Sequence, residues 1–134
     1  MTLSSFDDLL RSAHAQSQPQ RLLFVFATAG LPDDATPEQR ARFEAGEGGT
    51  LTPLMCVDKT PDELASFDVL VEEARQFGQA WDMVFVAAMS GSAGQSPTPL
   101  QAEVPLQRMV ESIKSGSIGA FVPFDAAGRP VQFA

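Results

Sequence analysis

The chain has 134 residues, of which 44% are hydrophobic and 19% charged, a composition typical of one globular domain and not of a disordered segment. Its formal net charge is −8, from 17 acidic and 9 basic residues, and the basic residues are scattered. That balance argues against a nucleic-acid partner, which needs clustered Lys or Arg. No apolar run approaches the ~20 residues that span a bilayer, and no targeting segment opens the chain. We therefore expect a single, acidic, cytoplasmic domain over residues 1–134 without a membrane partner.

The predicted order of elements is α-β-α-β-α-β-α-β-β. Three helices are predicted from one start signal, a threonine followed by proline and then by a glutamine or glutamate that closes a capping box. Apolar runs that follow glycines indicate the strands. The predicted helices cover residues 5–16, 36–45, 60–77 and a stretch after Pro105 with a short lead-in at Thr98, and the predicted strands cover residues 22–27, 51–57, 83–88, 118–124 and 130–133.

Helical crossovers between strands favour parallel neighbours, and apolar runs without alternation are typical of strands covered on both faces. Pro53 belongs at the start of the second strand or on a sheet edge, because proline cannot donate to a ladder. Gly128 suits the left-handed position of a hairpin loop. We expect an α/β fold, a compact α/β sandwich in which helices pack on a mixed sheet of about five strands that ends in a C-terminal β-hairpin. A thioredoxin-like variant without CxxC fits the same order. The spacing of the capping signals predicts no internal repeat.

One cysteine, Cys56, and one histidine, His14, limit the chemistry. They exclude an intramolecular disulfide, a CxxC motif and a multi-histidine metal site. Cys56 has apolar neighbours in a predicted strand, so we expect a buried, unreactive thiol with a raised pKa and no dyad with His14. The sequence Ser90–Gly94 is one residue away from a nucleophile elbow, but no helix or histidine follows it. No catalytic residue, metal or cofactor is predicted.

Ligands bind at the carboxyl ends of parallel strands. An exposed lysine beside hydroxyl groups and glycine amides suits a small anion there, and a tryptophan before the third strand is a candidate pocket wall. The alternative is that the charged pair is a solvated strand end, the serines keep a loop flexible and the tryptophan plugs the core. The candidate ligand-binding residues are Asp58, Lys59, Trp81, Ser90, Gly91 and Ser92, with Thr28 and Gly30 at the end of the first strand.

Four segments carry a resemblance to a known family: Arg21–Phe26, Thr52–Lys59, Trp81–Val86 and Leu106–Val110. There, and over nearly its whole length, the chain resembles a family of short, single-domain bacterial proteins of uncharacterised function. Its members often bear the label "ribonucleotide reductase subunit alpha". That label implies a long barrel enzyme with several functional cysteines, whereas this chain has one cysteine. The resemblance therefore supplies no catalytic residues.

The leading functional hypothesis is a non-catalytic interaction module that binds a protein partner and acts as a homodimer or other homo-oligomer. Its basis is the short apolar strand at 130–134, which needs cover if it lies at a sheet edge. A small-molecule binder or enzyme that uses Asp58, Lys59, Ser90 and Ser92 is the alternative, with the ligand unknown. A third hypothesis, an accessory protein of a ribonucleotide reductase, follows from the family label alone.

Overall fold

A computed structural model describes residues 5–31, 34–45, 50–78 and 80–131. The described residues form an α/β fold, as predicted. The helices are α1 (Phe6–His14), α2 (Pro37–Glu44), α3 (Phe67–Arg75) and α4 (Pro99–Lys114), with a 3-10 turn at Pro61–Glu63, and the strands are β1 (Gln20–Gly30), β2 (Thr50–Lys59), β3 (Met83–Ser90) and β4 (Val122–Asp125).

The four strands form an open sheet in the order β2-β1-β3-β4, in which every neighbouring pair is antiparallel. The prediction of a mixed sheet with parallel neighbours is therefore wrong for the described residues. The reason is that β2 returns beside β1, and α3 then carries the chain past β1 to its other side. As a result, β2 and β3 run in the same direction but are separated by β1.

The predicted fifth strand and C-terminal hairpin are not confirmed. Pro130 forms an isolated antiparallel bridge with Phe124, and the amide of Val131 donates to the carbonyl of Pro123 at 3.0 Å. Gly128 has the predicted left-handed conformation, with φ of 80°. The rest of the predicted strand, at 132–134, lies outside the described residues.

Two helix predictions are corrected. The predicted helix over 60–77 is a 3-10 turn followed by α3, because Leu64 leaves the helix with φ of −120° and ψ of 112° and buries its side chain. The predicted lead-in at Thr98 is instead the true start of α4, which continues through Pro105. Only one intrahelical hydrogen bond is forgone there, and the face that packs on the sheet remains intact.

The central strand β1 is buried on both faces, as its uninterrupted apolar sequence predicts. Leu22, Phe24 and Phe26 face α1 and α3, whereas the residues between them face α4. The edge strand β2 contains Pro53, as predicted, and a bulge at Leu54, because Phe26 lies opposite Met55 while Ala27 lies opposite Pro53.

The two halves of the chain repeat the same order, α1-β1-α2-β2 and α3-β3-α4-β4, and the strand order is symmetric about the β1–β3 pair. Phe24 lies directly opposite Val86, 62 positions later in the chain. Thr36 and Thr98, whose capping boxes begin α2 and α4, are also 62 positions apart. An approximate two-fold axis through the Phe24–Val86 pair therefore relates the four strands.

This relation corrects the prediction that no spacing recurs, although the strand sequences do differ. Positions 62 apart in β1 and β3 are equivalent, so Phe26 corresponds to Ala88 and Ala29 to Gly91. In the outer strands Val57 lies opposite Phe24, and Val122 lies opposite Val86, so these two residues are equivalent as well.

Candidate functional site

The predicted cluster is only partly brought together. The ends of β2, with Asp58 and Lys59, and of β3, with Ser90, lie at the same end of the sheet, but the start of β1 separates them. Thr28 and Gly30 lie at the opposite end, because β1 is antiparallel to both neighbours.

Both charged residues of the cluster are paired within the chain. The Lys59 ammonium lies 2.8 Å from Glu73 Oε1 on α3. The Asp58 carboxylate lies 2.6 Å from Arg21 Nη1, and Arg21 Nε donates to the carbonyl of Pro97 at 2.5 Å. Because both charges already have a partner of opposite sign, a small anion would have to displace Glu73 to gain the lysine.

The serine loop is a tight turn that hydrogen-bonds to the residues before β1. Ser92 and Gln95 exchange two backbone hydrogen bonds, the amide of Gly91 donates to the carbonyl of Pro19 at 2.8 Å, and the amide of Gly94 donates to Gln18 Oε1 at 3.1 Å. At the ends of the two strands, Gln20 Nε2 donates to Ser90 Oγ at 2.9 Å. A Cβ atom on Gly91 would lie 1.8 Å from the carbonyl oxygen of Gln95. Close backbone packing therefore requires the glycine at this position, and no ligand contact is needed to explain it.

Trp81 lies at the same end of the sheet as Thr28 and Gly30, away from Asp58, Lys59 and the serine loop. Its ring makes edge contacts with Phe26, at a centroid distance of 4.9 Å, and with Phe67, at 6.4 Å. These contacts join it to the core between the sheet and α3. Trp81 therefore fills the end of the core, which was the alternative prediction from the sequence.

Cys56 is exposed on β2, so the prediction of a buried thiol is wrong. The strand lies at the edge of the sheet, where its side chains are only partly covered. Partial desolvation, and then the neighbouring Asp58 carboxylate, raise the pKa of Cys56 above its ordinary value of 9.0, in the predicted direction. His14 lies at the end of α1, with Nδ1 3.7 Å from Asp62 Oδ1, and no described hydrogen bond joins it to Cys56.

A groove that the sequence analysis did not predict lies between α1 and the end of β3. It has a volume of about 330 Å³, and none of its lining residues is charged. Its walls are mainly apolar, and Gln20, which is 5% exposed, lines one end. The small residues Ala87 and Ala88 at the end of an otherwise bulky strand were the available signal, since small side chains leave room beside a helix.

Family models, curated proteins and solved structures show no match to this chain. None of the described helices is both long and apolar enough to cross a membrane. Within the described ranges, no three His, Cys, Asp or Glu side chains are grouped as they would be around a metal ion.

Proposed function

We propose that this protein is a non-catalytic interaction module that acts as a homodimer, in which two copies join through antiparallel pairing of their β2 strands. The observation that carries the proposal is the position of β2. It is ten residues long, and among the described residues it is the outermost strand of the sheet and is paired on its β1 side only. Unpaired backbone groups along such an edge are a template for another strand.

The chemistry of this edge favours a second copy of the chain. No charged residue occurs from Thr50 to Val57, and Asp58 and Lys59 lie at the end of the strand, so most of the edge lacks the charges that usually prevent strand pairing. In a two-fold pairing centred on Val57, Asp58 would face Cys56 of the partner subunit, and Lys59 would face Met55 of the partner subunit. Like charges would thus not be opposed, and Asp58 and Lys59 keep their pairs within the chain.

The opposite edge of the sheet is less suitable. The edge strand β4 has four residues, and the segment with Pro130 and Val131 already lies along it. Pro53 and the bulge at Leu54 restrict the proposed contact to the second half of β2, from Leu54 to Lys59. The proposal therefore moves the dimer contact from the C-terminal strand to β2.

The anion-binding alternative is less well supported because its cation is already paired with Glu73. Association with a ribonucleotide reductase follows from the family label, and no contact or cavity in the described residues favours it.

The test is the mass of the protein in solution, compared between two charge variants. Sedimentation equilibrium at micromolar concentrations is expected to give twice the chain mass of 14.3 kDa. Cys56→Glu places a carboxylate at the centre of the proposed contact, facing an acidic residue of the partner subunit, and should weaken the dimer by about tenfold or more. Gln107→Glu, on the exposed side of α4, carries the same charge change and should leave the dimer intact.

Cys56 also supplies an independent measurement, because it is exposed in the middle of this strand. Its alkylation rate at alkaline pH, where the thiolate is populated, should fall as the protein concentration rises. A monomer at high micromolar concentration, or a dimer that Cys56→Glu leaves unchanged, would refute pairing through β2.

A further inference from the structure

The groove between α1 and the end of β3 has a counterpart in the other half of the molecule, and the two places differ. The groove is lined on one side by Leu9 and Ala13 of α1, and on the other by Leu22, Val86 and Val122 of the sheet. Rotation about the approximate two-fold axis maps the groove onto the space between α3 and the start of β3, where Trp81 lies.

Large side chains cover the counterpart. Phe26 corresponds to Ala88, and Trp81 corresponds to Pro19, by the 62-residue spacing of β1 and β3. The indole ring packs edge-on against Phe26 and shields the end of the core. At the groove the corresponding residues are smaller, so the place stays open between Ala13 and Val122, which are half-buried, and Leu22 and Val86, which are buried, line it.

We propose that this groove is a binding site for a flat, uncharged aromatic molecule with a hydrogen-bond donor at its edge. The equivalent place in the other half is covered by the bicyclic aromatic ring of Trp81, so a flat aromatic ring suits the shape of the groove. None of the residues that line the groove is ionisable, although the chain carries 17 acidic and 9 basic residues. A charged ligand would lose hydration there without gaining a counter-ion. The volume of about 330 Å³ lies at the lower end of the range for small-molecule sites.

The polar residues that line the groove are Ser12, Gln16 and Gln20, and Gln20 is the most buried of them. Its side-chain nitrogen donates to the carbonyl of Gln18 at 3.0 Å and to Ser90 Oγ at 2.9 Å. These bonds fix the amide group, and its oxygen accepts no hydrogen bond from the described residues. A fixed acceptor at one end of an apolar groove favours a ligand whose ring carries an N–H or O–H group.

The probe for this inference is indole, titrated into the isotope-labelled protein and followed by NMR. Saturable shifts are expected at the side-chain amide of Gln20 and the backbone amides of Ala13 and Ala88, with a dissociation constant of about 1 mM or tighter for a ligand of this size. Indole-3-carboxylate should bind at least about tenfold more weakly because of its charge. 1-Methylindole, which lacks the N–H donor, should bind about threefold to tenfold more weakly than indole.

Variants connect the shifts to the groove. Ala88→Leu adds bulk where Phe26 lies in the counterpart and should weaken indole binding by about tenfold or more, with Ala88→Val intermediate. Ala41→Leu adds the same bulk on the exposed surface of α2 and should bind indole as the wild type does.

The inference is overturned if indole gives no saturable shifts up to about 5 mM, several times the expected dissociation constant. It is also overturned if the carboxylate binds as well as indole, or if Ala88→Leu retains the wild-type affinity. Failure of the homodimer proposal would leave this inference unchanged, because no residue of β2 lines the groove.

Discussion

The two halves of this molecule use the same order of elements to produce two different surfaces. At the start of β3, Trp81 and Phe26 extend the core to the end of the sheet. At the start of β1, the equivalent positions hold Pro19 and Ala88, and a groove that Ala88 lines lies beside α1. The backbone frame is shared, so side-chain volume at a few positions decides whether the end of the sheet becomes core or surface.

The largest expected effect comes from removing the aromatic cover. Trp81→Ala should lower the free energy of unfolding by about 2–3 kcal/mol, because the half-buried ring loses its contacts with Phe26 and Phe67. Urea unfolding measures this change. Phe77→Ala is the matched control, since Phe77 is 54% exposed and should contribute less than about 0.5 kcal/mol.

Indole sharpens the same experiment. It should restore part of the lost stability of Trp81→Ala, because a ligand that binds the native state alone shifts the unfolding equilibrium. A loss below about 1 kcal/mol for Trp81→Ala would mean that the ring does not serve as core, and the contrast between the two halves would fail.

A smaller loss of stability is expected from a substitution at Gly91, where the backbone packs closely against its own loop. Gly91→Ala places a Cβ atom 1.8 Å from the carbonyl oxygen of Gln95, so the turn must shift, and stability should fall by about 2 kcal/mol. The equivalent residue in the first half, Ala29, already carries a Cβ atom. Gly30→Ala is the control, because no atom lies within 4 Å of its Cβ position and little change is expected in thermal unfolding. Equal melting temperatures for the two variants would contradict the close packing at Gly91.

The smallest effect distinguishes two capping boxes. In one, Glu63 Oε1 accepts from the amide of Thr60 at 2.9 Å, and this hydrogen bond holds the pKa of Glu63 below its ordinary value of 4.5. In the other, Gln101 makes the same contact with Thr98 without a charge. A carboxyl with a lower pKa in the folded state stabilises the fold above its unfolded pKa, and that contribution is lost as the pH falls through the folded value.

We therefore expect Glu63→Gln to remove a small acid-dependent loss of stability, well under 1 kcal/mol because the carboxylate is exposed. Gln101→Glu should introduce a similar loss at α4. Stability measured by urea unfolding between pH 6 and the acid range tests both variants. Identical pH profiles for Glu63→Gln and the wild type would show that the hydrogen bond does not shift the titration.

Sequence predicted most elements but not how they are arranged. The apolar run in β1 indicates burial on both faces, which an antiparallel sheet between α3 and α4 satisfies as well as a parallel one. Strand direction depends on whether β2 returns beside β1, and no local pattern encodes that choice. The capping boxes were read correctly as helix starts, but burial of Leu64 ended the turn that begins at Thr60.

The candidate site shows the same division. Asp58, Lys59 and Ser90 do lie at one end of the sheet, because β2 and β3 run in the same direction on either side of β1. Their partners Arg21, Glu73 and Gln20 are distant in sequence, so the ion pairs and the hydrogen bond that occupy them were not predictable. Thr28 and Gly30 were assigned to the wrong end because β1 was expected to be parallel to its neighbours. Trp81 precedes β3 and Ser90 ends it, so these two residues lie at opposite ends of the sheet whatever the strand directions.

The two-fold relation has a consequence for how the halves can differ. Two separate half-length chains that paired through their first strands would make the same sheet order, but each position would then hold the same residue twice. Within one continuous chain the pair Phe24 and Val86 at the axis is already unequal. In one covalent chain, one half can therefore fill the end of its core while the other half keeps a groove at the equivalent place. Two identical chains could not differ in this way.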